Sequence, residues 1–249
     1  MPLVFSPLSE AVLDQPPKKL LPKHAFIMRQ LGTPPEIDIA INAAVIDGLQ
    51  QRGYVGTDAT TTTGGKDYLE RILGLIRATG FTVAIFSEQT RITAMANIAL
   101  ELGFAAMCGK PLIIVKSKEG TAPSDLKRTD WIEYDPENVP AFNISFSRAL
   151  DELATFHQFE KHLLQVALEA RSTDCAIALE RCNKGFLLTG DDEFIAGAEA
   201  VLEKVNGIGD DLAIGDLERL RSEIKTFIRQ ARSAHGGANV EAVAAAAGG

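Results

Sequence analysis

The chain has 249 residues, of which 46% are hydrophobic and 23% charged, and it carries a formal net charge of -8. That length suits one large domain or a medium domain with an appendage, and the composition is that of a globular protein able to bury a core. An acidic chain is a poor general binder of nucleic acid or of anionic membranes, and no apolar run reaches the ~20 residues of a membrane span, so neither is expected as a partner.

Residues 1–23 read as an irregular arm, because Pro7, Pro16, Pro17 and Pro22 forbid a long helix. Ala25-Phe-Ile-Met28 is a short apolar run of the kind buried in a parallel sheet, and it makes strand one. Gly32, Pro34 and Pro35 break it. Ile37, Ile41, Ala44, Val45 and Leu49 then recur at helical spacing, predicting a helix from about Glu36 to Arg52 that Gly53 closes. Tyr54 to Thr63 predicts a short second strand and a hydroxyl-rich loop. The next helix opens at Gly64-Gly-Lys-Asp67, with Leu69, Ile72, Leu73 and Ile76 on its core face and Gly80 as its stop. Phe81–Phe86 is strand three, followed by Ser87, and a helix covers about Thr93 to Met107. After the tight Gly109-Lys-Pro111 connection, Leu112–Val115 is strand four and Trp131–Tyr134 strand five, with a helix beginning near Ser145 or Ser147.

Strands alternating with helices predict right-handed crossovers and a parallel sheet. The expected fold class is therefore α/β: a flavodoxin-like, doubly wound parallel five-stranded sheet of order 2-1-3-4-5 over residues 24–150. Any small-ligand site should lie beyond the strands' carboxyl ends, at the switch point beside strand one. Residues 151–234 read as a C-terminal helical appendage. The helical pattern of 147–184 breaks at Gly185–Asp192, where Gly185–Leu188 is a weak strand candidate, and resumes over 193–205 and 214–232. The Gly- and Ala-rich end, 235–249, reads as a disordered tail. The three cysteines, Cys108, Cys175 and Cys182, fit no disulfide framework or C-x-x-C motif. They are expected to be reduced thiols, and the amino terminus lacks a secretory pattern, so a cytoplasmic protein is expected.

The most informative segment runs from Ile92 to Met107. It is apolar on nearly every side, which predicts a helix packed all round. Asn97 and Glu101 are its strongly polar residues, and at i, i+4 they face the same way. A carboxylate in an apolar wall is costly unless paired or useful, and desolvation should raise its pKa, which is a mark of functional residues. A solvated rim position, or an ion pair with Arg29 or Lys110, would account for Glu101 as well. The loop Thr60 to Lys66 ahead of a helix, with Thr63 and Gly65, can hold a phosphate through hydroxyls, backbone N–H groups and the helix dipole, and Asp67 and Tyr68 can project into the same site. It is not a Walker A loop, and a polar capped turn is the plain alternative. Arg29 and Gln30 end strand one at the switch point and suit phosphate or ribose hydroxyls. Arg29 paired with a surface carboxylate is the alternative there. His157 and His162, with Glu160 between them, stand at i, i+5, off the shared face that a zinc pair uses, so no metal is expected.

The succession of strand, Ser87, Asn97-x-x-x-Glu101-Leu-Gly103-x-Ala105, Gly109-Lys-Pro111 and apolar strand resembles the nucleoside 2-deoxyribosyltransferase-like superfamily and the related TIR-type NAD-cleaving domains, over about residues 24–135. The resemblance implies that Glu101 is catalytic, as nucleophile or as stabiliser of an oxocarbenium-like sugar. Asn97 would orient it or bind the ribose, and Arg29, Gln30, Thr63, Gly65, Asp67 and Ser87 would bind substrate. The implied activity is cleavage of the ribose–base bond of a nucleotide, NAD or a nucleoside monophosphate, by a homo-oligomer without a cofactor, with a role in antiviral defence. Ser87-Glu-Gln-Thr90 stands where deoxyribosyltransferases carry an Asp-x-Gly-Thr-like stretch, which favours simple cleavage over base exchange. The tryptophan that often precedes the TIR glutamate is absent. The alternative is a TIR-like module without chemistry that senses a nucleotide or self-assembles.

Overall fold

The computed structural model describes residues 17–60, 68–120, 131–169, 175–207 and 214–247. Strands β1 (Leu21–Met28), β2 (Val55–Thr57), β3 (Thr79–Phe86), β4 (Leu112–Ser117) and β5 (Trp131–Tyr134) form one parallel sheet of order β2-β1-β3-β4-β5. Helices α1 (Glu36–Gln51), α2 (Tyr68–Ala78) and α3 (Ile92–Met107) lie between the strands. Four more follow β5: α4 (Val139–Glu169), α5 (Cys175–Thr189), α6 (Glu193–Asn206) and α7 (Ile214–Ala247). The α/β class, the strand order and the C-terminal helices are those the sequence predicts.

The sheet is buried on both faces through the period-two alternation of its strands. Ala25, Ile27, Phe81, Val83 and Ile85 pack with Ile41, Val45 and Leu49 of α1 and with Phe142, Phe146 and Leu150 of α4. Phe26, Met28, Ala84, Phe86 and Ile114 turn the other way, onto Ile72 and Ile76 of α2 and Ile98, Leu102 and Ala105 of α3. Every residue of β3 is buried.

A third core belongs to the C-terminal helices. Leu164 of α4, Cys182 and Phe186 of α5, Phe194 and Val201 of α6, and Ile224 and Phe227 of α7 enclose it, with Leu20 from the segment before β1. The boundary expected at residue 150 falls inside α4, whose first half packs on the sheet and whose second half packs in this lobe. The lobe docks at the amino ends of the strands. A Cβ on Gly80 would stand 2.5 Å from the Leu187 carbonyl oxygen, so glycine there lets α5 meet β3 backbone to backbone. Gly80 is thus a contact point within β3 rather than a helix stop. The last carbonyls of α2 are instead satisfied by the Thr79 hydroxyl, bonded to Leu75 and Ile76, and by the Lys110 ammonium, bonded to Arg77.

Other expectations change with packing. β1 begins at Leu21, so residues 21–23 belong to the sheet and not to an arm. Residues 1–16 lie outside the described residues. The break expected at 185–192 narrows to 190–192, and the strand candidate is helical, because α5 runs to Thr189 before Gly190 turns at a φ of 68°. Gly185 sits in that helix because the Phe194 ring lies where its Cβ would be, 2.1 Å away. α4 starts at Val139, ahead of Ser145, with Pro140 in the first turn where no amide bond is lost. α7 runs to Ala247, across the stretch expected to be a disordered tail, and its alanines are strong helix formers. α3 is not enclosed on all sides, because the face with Ile92, Leu100 and Met107 is open. Among the described residues no helix is long and apolar enough to cross a membrane.

Gly80→Ala should cost about 1–3 kcal/mol by pushing α5 off the sheet. Gly74→Ala, in α2 where a Cβ meets nothing within 4 Å, should instead gain up to about 1 kcal/mol. Urea unfolding measures both, and a neutral Gly80→Ala would refute the close approach.

Candidate functional site

Residues that follow the strands' carboxyl ends build a polar rim. Arg29 and Gln30 follow β1, Asp58 follows β2, Ser87 and Glu88 follow β3, and Ser117 ends β4. Arg29 donates from Nε and Nη2 to Asp58 Oδ2, at 3.1 and 2.7 Å. Burial pushes Asp58 upward, but the hydroxyl and amide of Thr60 and the Arg29 guanidinium outweigh it and hold the carboxyl below its ordinary range. Gln30 is spent on structure: its amide donates to the Thr33 carbonyl, and its oxygen accepts from the Arg91 amide at 2.9 Å, just ahead of α3. Gln30 is thus a clip between two loops.

Asp38, in the first turn of α1, is 3% exposed and accepts a hydrogen bond from Ser87. Burial raises its pKa, Ser87 opposes the rise, Glu88 adds to it and Arg29 opposes it. Ser87 also shapes its own turn. Its amide donates to the Thr90 hydroxyl at 2.8 Å, and its Oγ accepts from the Gln89 amide at 3.2 Å. Glu88 accepts from the Ser117 hydroxyl at 2.6 Å, which holds its pKa below the usual value. The rim is therefore a network joining β1, β3 and β4, with Arg29 as its partly exposed cation.

Glu101 lies apart from this rim. It shares the buried side of α3 with Ile98, Leu102 and Ala105 and is 9% exposed. Among the described residues no hydrogen bond or ion pair holds its carboxyl, and burial alone pushes it up to about 7. Both ion-pair alternatives are closed. Arg29 is taken by Asp58, and Lys110 binds the Arg77 and Thr79 carbonyls at 3.1 and 2.6 Å. Lys110 is itself pushed down to about 7 by burial. Asn97 is exposed and makes no hydrogen bond to Glu101, so the expected pair does not form. Glu101 comes nine residues after Ile92, about 13 Å along α3, so its backbone lies down the flank of the sheet rather than at the strand ends.

Arg29, Gln30 and Ser87 are thus together at the rim, while Glu101 and Asn97 are not. Thr63, Gly65 and Asp67 lie outside the described residues. Glu160 turns to Arg181 at 3.2 Å, and among the described residues no group of three or more His, Cys, Asp or Glu is placed to hold a metal ion. Sequence reading passed over Asp38, Asp58, Glu88 and Ser117. Asp58, Glu88 and Ser117 were detectable as polar residues at or just after the end of an apolar strand, and Asp38 as a carboxylate opening the helix after the switch point. No family model matches the chain, and no curated protein matches it in sequence.

Between pH 4.5 and about 7 the folded chain keeps a proton on Glu101 that the unfolded chain has lost, so stability falls as pH rises, by about 3 kcal/mol in all. Glu101→Gln removes this loss. In urea unfolding the variant should match the wild type at pH 4.5 and exceed it by up to about 3 kcal/mol at pH 8. The same difference at both pH values would contradict an unpaired buried carboxyl.

Proposed function

We propose that the protein cleaves the N-glycosidic bond of a nucleotide, with Glu101 as the carboxylate that faces the sugar. The observation that carries this reading is a glutamate 9% exposed on a mostly apolar helix, without a partner among the described residues and pushed up to about 7 by burial. A positive sugar forming beside it would favour the ionised state that burial disfavours, so the missing counter-charge comes from the reaction itself. The C1′–N bond breaks with its electron pair leaving on the base. The carboxylate stabilises or captures C1′, water adds to that carbon, and the water proton passes to the carboxylate or to solvent. A pyridinium base such as that of NAD leaves without needing a proton, whereas the base of a nucleoside monophosphate needs one. Arg29, partly exposed at the rim, suits the phosphate end of either substrate.

One observation favours a second reading. Glu101 lies about 13 Å along α3 from the helix start, so a nucleotide held at the rim by Arg29 need not meet it. The chain would then be a nucleotide-sensing or self-assembling module without turnover.

Incubation with NAD and a panel of nucleoside monophosphates, followed by chromatography for free base, separates the two. The first reading predicts base release that rises with pH through about 7, as Glu101 ionises, and falls at least about 100-fold in Glu101→Gln with the fold intact. Ligand binding with no base released from any substrate would establish the second.

A further inference from the structure

We propose that the solvent face of α3 is an interface for a second copy of this chain, the copies related by a two-fold axis beside Ala99 and Leu100. A helix this apolar belongs in a fully enclosed setting. The single chain nevertheless leaves Ile92 86% exposed, Met107 77% and Leu100 48%. The residues between them on the same arc, from Thr93 to Ala106, are small, exposed and uncharged. Glu101 sits on the buried side of the helix, so the contact neither uses it nor blocks it, and the inference stands apart from the proposed activity.

Three features select a second copy as the occupant. The face reads alike in both directions. With two α3 helices antiparallel about a centre between Ala99 and Leu100, Ile92 meets Met107, Thr93 meets Ala106, Ala96 meets Gly103 and Ala99 meets Leu100. Large side chains close the two ends and small ones let the axes approach between them, which is the self-complementarity that a two-fold contact requires. Charge agrees: each copy carries -8, and this face brings two copies together with no like charges opposed. Area agrees as well. The face offers on the order of 500 Å² of apolar surface per copy, against roughly 450 Å² of apolar area in the about 800 Å² that each partner gives to a standard interface.

Sedimentation equilibrium on the full chain, from low micromolar to near-millimolar concentration, tests this. The wild type should approach twice its 26.8 kDa at the upper end. Leu100→Glu sets two carboxylates against each other at the axis, and Ala96→Glu sets one against the bare Gly103. Both should stay at 26.8 kDa with an unchanged circular dichroism spectrum, whereas Gln158→Glu on the exposed side of α4 should still dimerise. A wild type that is monomeric throughout, or a dimer that persists in either folded α3 variant, overturns the proposal.

Discussion

Burial of β3 on both faces is the constraint from which the rest of the molecule follows. A parallel strand with helices above and below has no solvated side, so its eight residues must be apolar or bonded in place. Thr79 and Thr82 meet that condition with hydroxyl bonds to the Leu75, Ile76 and Pro111 carbonyls. With β3 fixed, its two ends are given different work. Its amino end, at Gly80, accepts the backbone of α5 and joins the helical lobe to the sheet. Its carboxyl end, at Ser87, organises the rim and launches α3.

This division leaves the rim free of the lobe. The C-terminal helices are bound to the amino ends of β1 and β3 by Leu20, Leu187 and the Gln230 amide, which donates to the Pro17 carbonyl at 2.5 Å. Lys110 strengthens the same end, where its ammonium closes the last turn of α2. At the opposite end the side chains are polar and linked across strands, the arrangement that lets an α/β sheet recognise small ligands.

Much of the fold was legible because strand identity depends on local runs of apolar residues, and Ala25 to Met28, Phe81 to Phe86 and Leu112 to Val115 announce themselves without context. Glycines were misread at 80 and 185 because their role is decided by a distant partner, Leu187 and Phe194, that no local pattern reveals. The last turns of α7 fall in alanine-rich sequence, which is low in complexity and high in helix propensity at once. At the candidate site, composition marked Glu101 as unusual, and its side chain is 9% exposed with no partner among the described residues. Composition did not reveal that Gln30 and Ser87 are consumed by loop contacts, or that Asp38 supports Ser87. The Gln30–Arg91 and Asp38–Ser87 bonds among them join segments tens of residues apart. Nor did it reveal that one face of α3 is left bare, since an apolar helix looks the same whether its cover comes from the same chain or from another.

The functional reading stands on the protonation of a single side chain, and a carbon-detected NMR titration of selectively labelled glutamate, with Glu101→Gln assigning the resonance, reads it without any assumption about substrate. The carboxyl carbon of Glu101 should titrate with a midpoint near 7 in the folded chain. A midpoint at the 4.5 of an ordinary glutamate would show a solvated or paired carboxylate and remove the ground for assigning it chemistry.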